Sequence, residues 1–104
     1  MKTSTTETIP GHNITAHLGV VCGNTVRAKH VGRDIMAGLK TLIGGEVGGY
    51  TEMLQESRNQ ATERMIAQAK AMGADAIVSI RFTTSQVAQG MSEMLAYGTA
   101  VKLA

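Results

Sequence analysis

One long amphipathic pattern near the middle of the chain constrains the fold most. Between residues 50 and 72, apolar and small side chains recur at three- and four-residue spacing, which is the period of one helix face. This stripe consists of Tyr50, Met53, Leu54, Ser57, Ala61, Met65, Ala69 and Met72. Gly73 ends the pattern, because glycine readily adopts the left-handed conformation that closes many helices. The pattern predicts a long helix over residues 50–72 that packs one face on a sheet.

A second, shorter helical pattern precedes it. Apolar residues between 32 and 43 fall on one helical stripe, which consists of Ile35, Met36, Leu39, Leu42 and Ile43. Four glycines separate the two patterns, namely Gly44, Gly45, Gly48 and Gly49. We predict a helix over 32–43 and a glycine hinge that lets the short helix turn into the long one.

Alternating apolar and polar residues predict strands on both sides of the helical pair. They cover residues 14–26, 76–84 and 92–103. Residues 3–9 are expected to pair with 14–26 as a hairpin, through a type II turn at Pro10-Gly11. The predicted order is β-β-α-α-β-β in a single domain over residues 1–104. This order favours an α+β fold, a mostly antiparallel sheet with two helices on one face.

Alternation also predicts which strand residues face the helices. On the third strand we expect Ala76, Val78, Ile80 and Phe82 on the helix side, with Ser79, Arg81 and Thr83 opposite. The face away from the helices then keeps several apolar residues, namely Val21, Ile77, Met94, Ala96 and Ala100. A monomer would leave some of these in water, so the pattern indicates association of subunits.

Composition narrows the functional classes. The net charge is +2, the basic residues are scattered, and the chain has no Trp, two Tyr and one Phe. Nucleic-acid binders usually combine a basic patch with aromatic platforms, so no nucleic-acid partner is expected. Cys22 is the only cysteine and forms no intramolecular disulfide, and no apolar run approaches membrane-spanning length. We expect a cytoplasmic protein without a membrane partner.

The candidate ligands for a soft divalent metal are few. Thiolate and imidazole are the preferred donors, and the chain offers Cys22, His12, His17 and His30. Cys22 and His17 lie five residues apart, so a regular strand places them on opposite faces unless a bulge or a neighbouring subunit brings them together. The simpler interpretation, which we favour, makes Cys22 a small buried hydrophobe beside Val20 and Leu18.

A small anionic ligand is the other candidate. Consecutive backbone N–H groups before a helix can bind an anion, which makes Gly44, Gly45, Gly48, Gly49 and Tyr50 candidate ligand-binding residues. Arg81 adds a cation on a polar strand face. The hinge lacks the Gly-Lys-Ser/Thr ending of a phosphate loop and follows a helix rather than a strand, so a tight corner explains it more simply. No nucleophile has an evident base beside it, which favours a non-enzymatic protein.

Four segments in register add a family resemblance. They are Gly19-Val20-Val21-Cys22-Gly23, Ile43-Gly44-Gly45-Glu46-Val47-Gly48-Gly49-Tyr50, Ala69-Lys70-Ala71-Met72-Gly73-Ala74-Asp75-Ala76-Ile77-Val78 and Gly98-Thr99-Ala100-Val101. In this order they resemble the YbjQ-like family of small bacterial proteins of uncharacterised function. The resemblance implies a dodecin-like fold, a ring-shaped homo-oligomer of five subunits, and a heavy-metal-binding label. It supplies no catalytic residues.

Three functional hypotheses follow. The main one is a non-enzymatic homo-oligomer, a pentamer, that binds a small ligand or a metal at a subunit interface. The second is a heavy-metal-binding or sensing module that uses Cys22. The third is an enzyme that acts on a small anionic substrate at the glycine hinge.

Overall fold

The computed structural model describes residues 1–28 and 48–104. Within them lie four strands and one helix, which are β1 (Lys2–Thr3), β2 (Ile14–Ala28), α1 (Gly48–Ala71), β3 (Ala76–Ala88) and β4 (Met91–Leu103). The fold class is therefore α+β, as predicted. The predicted helix over 32–43 and the hinge residues Gly44 and Gly45 lie outside the described residues.

The strands form one mixed sheet in the order β1-β3-β4-β2. β4 lies between β2 and β3 and is antiparallel to both, whereas β1 is parallel to β3. β3 and β4 are longer than the predicted strands over 76–84 and 92–103, because they continue to a tight turn at Gln89-Gly90. Gly90 has a φ of 78°, which glycine adopts without steric cost.

The predicted first hairpin is wrong. The turn at Pro10-Gly11 does form, since the N–H of His12 donates to the carbonyl of Ile9 at 3.1 Å and Gly11 has a φ of 82°. Residues 2–9, which we call the strap, do not pair with β2. Their first residues run parallel to the start of β3, where the N–H of Ser4 donates to the carbonyl of Ile77 at 3.0 Å. Sequence proximity favoured a hairpin, but the strap pairs with a strand from the other end of the chain.

Helix α1 packs through the predicted stripe. Ser57, Ala61, Met65 and Ala69 are buried, while Leu54 and Met72 towards its two ends are exposed. Small residues in this stripe allow the helix backbone to approach the sheet closely. No helix within the described ranges is long and apolar enough to cross a membrane.

The sheet residues beneath α1 are those predicted to lie on the face away from the helices. The main core joins the buried helix stripe to Val21, Ile77, Met94, Ala96 and Ala100, together with Ile80. Alternation correctly grouped these residues but could not tell which side the helix would cover. We call the covered side the inner face and the opposite side the outer face.

Bulges explain the remaining errors of face assignment. The β3–β4 register shifts between Val78 and Arg81, and Ser79 within it has a φ of 53°. The shift places Ile77 and Ile80 in the core under α1, although they are three residues apart. Ala76 and Val78, which were expected to face the helix, instead pack on the outer face against Ile9 of the strap and Val101. A strictly two-residue period cannot represent such an insertion.

Candidate functional site

Cys22 lies on the outer face in a row across three strands. It pairs with Tyr97 on β4, which in turn pairs with Arg81 on β3. The interpretation of Cys22 as a buried hydrophobe is wrong, because its side chain belongs to the exposed residues of β2. The reason is that β2 buries its odd-numbered residues Val21, Gly23 and Thr25 under α1 and turns the even-numbered ones outward.

Apolar side chains surround this row. Val20 is 72% exposed, Val26 is 46% exposed and Tyr97 is 39% exposed. We call Val20, Cys22, Val26 and Tyr97 the outer patch. At the other end of the same face, the strap covers the sheet with Ile9, which is only 8% exposed in its cluster. Among residues 1–28 and 48–104, the outer face is therefore covered at one end by the strap and open at the other.

A bulge in β2 places His17 on the same face of the sheet as Cys22. The β2–β4 register shifts between His17 and Gly19, so that His17 pairs with Val101 on the same outer face as Tyr97. Their partners on β4 are four residues apart, which corresponds to roughly 13 Å along the strand. Metal–ligand bonds are about 2.0–2.3 Å long, so one subunit cannot bring both side chains to one ion. His12 lies in the strap turn, and His30 lies outside the described residues.

Glu93, whose carboxylate also lies on the outer face, accepts hydrogen bonds from two neighbouring side chains. Asn24 Nδ2 donates to Glu93 Oε2 at 2.9 Å, and Ser85 Oγ donates to Glu93 Oε1 at 3.5 Å. Glu93 pairs with Val26, again four β4 residues from Tyr97. In the part of the chain that the structure describes, no group of three or more His, Cys, Asp and Glu side chains could hold a metal ion. A multidentate site at Cys22 would therefore need ligands from outside the described residues of one subunit, such as those of further subunits.

Arg81 has a structural role. Its Nη1 donates to the carbonyl of Thr5 at 2.9 Å and to that of Ile80 at 2.8 Å, so the guanidinium fastens the strap to the edge of β3. Of the other predicted ligand-binding residues, Gly48, Gly49 and Tyr50 form the first turn of α1 rather than a loop before it. The structure does not bring Arg81 to a described partner of opposite charge.

Two side chains of α1 reach the outer edge of β2, a contact that the sequence analysis missed. Gln68 Oε1 accepts the N–H of Cys22 at 2.7 Å, and Arg64 Nη1 donates to the carbonyl of Asn24 at 2.6 Å. Further along, Arg27 Nη2 donates to Gln60 Oε1 at 3.0 Å. The spacing of Gln60, Arg64 and Gln68 by four residues, beside the buried stripe, is the signal that could have indicated this row.

Asp75 joins the start of β3 to the end of β4. Its Oδ2 accepts the N–H of Leu103 at 2.9 Å, and its Oδ1 accepts a hydrogen bond from Lys102 Nζ at 3.3 Å. The backbone hydrogen bond from Leu103 is the main reason that the pKa of Asp75 lies below its ordinary value, and Lys102 adds to it. Asp75 is not among the site residues predicted from the sequence, and the structure gives it this role between two strands.

Comparison with known proteins identifies the family. The family model described as "Putative heavy-metal-binding" matches residues 1–104. The chain belongs to the YbjQ-like family. A relative called "UPF0145 protein" from Psychromonas ingrahamii is 64% identical over 100 residues, which cover 96% of this chain and 95% of the relative. A protein of the same name from Archaeoglobus fulgidus is 61% identical over 100 residues, or 96% and 93% of the two chains. The resemblance seen in the sequence is confirmed.

A solved structure supports the fold. A crystal structure of a protein of unknown function from Pediococcus pentosaceus superposes on the chain with a TM-score of 0.69. The match covers 100% of this chain and 98% of the other, at 18% sequence identity. At that identity the likeness concerns the fold alone.

Proposed function

We propose that the protein is a self-assembling subunit without a catalytic centre, and that its outer patch is the contact between copies. The observation that carries this proposal is the exposure of Val20 and Tyr97 close together on a sheet face that the strap covers only in part. Burying a valine or a larger apolar side chain is favourable by about 1.5–3 kcal/mol. A second copy on this face would remove both side chains from water.

The family resemblance adds the expected form of the assembly, a ring of five subunits in a dodecin-like arrangement. The working environment is the cytoplasm, and the partner is another copy rather than nucleic acid or a membrane. The scattered basic residues and the single cysteine support this choice. Native mass spectrometry of the purified protein counts the subunits directly, and five is the expected number.

A charge on the outer patch tests the contact. Val20→Glu should dissociate the assembly, because it places a carboxylate where a partner would desolvate it. Ala67→Glu, at an exposed position of α1, introduces the same side chain away from the patch and should leave the assembly intact. Size-exclusion chromatography with light scattering gives both masses. Equal oligomers for the two variants would contradict the assignment of the contact to the outer patch.

A second candidate function is supported by the exposure of Cys22 and by the description of the family model. One subunit supplies one thiol on the outer patch, and thiolates are preferred ligands of soft metals. Assembly through this face would bring thiols of several copies to the subunit boundaries. We propose that a soft divalent metal binds there, with Cys22 of more than one copy as ligands.

The metal hypothesis requires both the thiol and the assembly. Titration with zinc or cadmium should show binding to the wild type, at less than one ion per subunit if copies share a site, and none to Cys22→Ser. Val20→Glu keeps the thiol and separates the copies, so it should lose binding as well. Unchanged binding in Cys22→Ser would exclude this site. Unchanged binding in a monomeric Val20→Glu would show that the site lies within one subunit.

A further inference from the structure

The two outer edges of the sheet differ in how they are protected. Unpaired edge strands attract other strands, and folded proteins usually cover or charge them. On the β2 edge, the side chains of Gln68 and Arg64 bond the outward N–H of Cys22 and the outward carbonyl of Asn24. Arg27 and Glu56 place opposite charges further along, 3.9 Å apart. This edge is covered by its own helix.

The β3 edge is covered only over its first half. The N–H groups of Ser79 and Ile80 donate to the carbonyls of Thr6 and Ser4 of the strap, at 2.9 and 3.0 Å. Arg81 holds the strap at this point through the carbonyl of Thr5. Beyond Arg81, no described residue outside β4 bonds the backbone of β3. The register with β4 is regular from Arg81 to Gln86, so the strand is well formed where its cover ends.

The direction of the backbone groups follows from these bonds. In an antiparallel ladder, the backbone N–H and C=O groups of successive residues point alternately towards and away from the neighbouring strand. The N–H of Cys22 points away from β4, so Cys22 and Tyr97 form a non-hydrogen-bonded pair and the backbone of Tyr97 points towards Arg81 on its other side. The backbone groups of Arg81 therefore point to β4, and those of Phe82, Thr84 and Gln86 point away from it. Phe82, Thr84 and Gln86 thus present three N–H and three carbonyl groups along an open edge.

This edge also lacks charge. Residues 82–90 contain no Lys, Arg, Asp or Glu, and residues 81–89 are all exposed. We infer that the run Phe82–Gln86 of β3 is a strand-pairing edge, and that its occupant is a strand of a second copy of this chain. The inference rests on the proposed self-assembly and names a second contact surface for it.

A second copy fits this edge for two reasons. A neutral edge offers no charge pattern with which to select a foreign peptide, and it does not repel an uncharged strand. It is also continuous with the proposed contact. Arg81, at the start of the run, pairs with Tyr97 of the outer patch, so a copy docked on the patch brings its own backbone close to this edge.

Backbone hydrogen exchange of the wild-type assembly tests the pairing. The amides of Phe82, Thr84 and Gln86 should exchange at least about 100-fold more slowly than in an unstructured peptide. The amides of Thr83 and Ser85 bond to β4 and serve as internal controls that are protected in every case. If the protein is oligomeric and the three outward amides exchange rapidly, the pairing is wrong while the assembly stands.

A monomer gives different results. If the protein is monomeric at all concentrations with rapid exchange at these amides, the proposed function fails and the inference fails with it. If a monomer shows slow exchange there, the same chain covers the edge and a second copy does not. Either result overturns the inference and the proposed function together, whereas an oligomer with rapid exchange overturns the inference alone.

Proline at Thr84 provides an independent test. Thr84→Pro removes an N–H that points away from β4, a position where proline is tolerated in an edge strand. Thr84→Ala removes the same side chain and keeps the N–H. We expect Thr84→Ala to assemble as the wild type does and Thr84→Pro to lose at least one contact and yield smaller species. Equal assembly of two folded variants would overturn the inference, and the exchange experiment decides it if Thr84→Pro does not fold.

Discussion

At the scale of single residues, Gly23 has the tightest surroundings among the glycines of the described ranges. A Cβ added there would overlap the carbonyl oxygen of Ala61 and the amide nitrogen of Met65, and would lie 2.8 Å from Arg64 Cβ. Two of these three neighbours are helix backbone, which cannot move aside by changing rotamer. The absence of a side chain at Gly23 is therefore what allows α1 to lie directly on β2.

Gly23→Ala should consequently push α1 away from the sheet and destabilise the protein by about 3 kcal/mol, at the upper end of the usual cost of overpacking. Glu63→Ala, at an exposed position of α1, should change the free energy of unfolding by less than about 0.5 kcal/mol. Urea unfolding at one fixed protein concentration measures both values. A Gly23→Ala variant as stable as the wild type would show that the helix does not sit this close to β2.

Asp75 gives the stability a dependence on pH. Its folded-state pKa is below the unfolded value near 3.8, so its contribution is fully present above that value. The contribution disappears as the pH falls through the lower, folded-state pKa. Asp75→Asn should therefore be less stable than the wild type at pH 7, and the difference should shrink below about pH 4. Urea unfolding between about pH 2 and pH 7 measures it, and a difference that is constant with pH would contradict this account.

At the scale of the elements, the position of the strap is what the sequence pattern did not predict. It contributes Ile9 to a cluster with Ala76, Val78 and Val101 on the outer face, and its backbone accepts hydrogen bonds from the β3 bulge. Ile9→Ala should cost about 2–5 kcal/mol, because it leaves a cavity in that cluster. It should also speed amide exchange at Ser79 and Ile80. Unchanged exchange at these two residues would show that Ile9 does not hold the strap in place.

The elements show what a periodic pattern can and cannot predict. The central residues of the α1 stripe, namely Ser57, Ala61, Met65 and Ala69, were predicted correctly, because helical spacing determines which side chains share a face, whereas Leu54 and Met72 are exposed. Alternation likewise grouped Val21, Ala96 and Ala100 on one face, but it did not show which face the helix covers. The bulges at Ser79 and beside His17 change the alternation midway, and a local pattern contains no sign of them.

The candidate site was predictable in its chemistry only. Cys22 was singled out as the one thiol, but its exposure follows from how β2 packs under α1, which is a tertiary property. Arg81 was proposed as a ligand-binding residue, and the structure shows its guanidinium hydrogen-bonded to the strap. The bonds from Gln68 and Arg64 to β2 join residues 46 and 40 positions apart, so only the folded chain reveals them.

At the scale of the whole molecule, the surface is divided into covered and open parts. The inner face lies under α1, the strap covers one end of the outer face, and helix side chains cover the β2 edge. The outer patch and the run Phe82–Gln86 remain open among the described residues. They meet at the row of Cys22, Tyr97 and Arg81, so one neighbouring copy could contact both surfaces.

Sedimentation velocity of the wild-type protein over a wide concentration range tests the central claim most directly. We expect one discrete oligomer that persists on dilution to micromolar concentration, with a mass of five subunits of 11.0 kDa each. A single well-folded species with the mass of one chain at every concentration would contradict it.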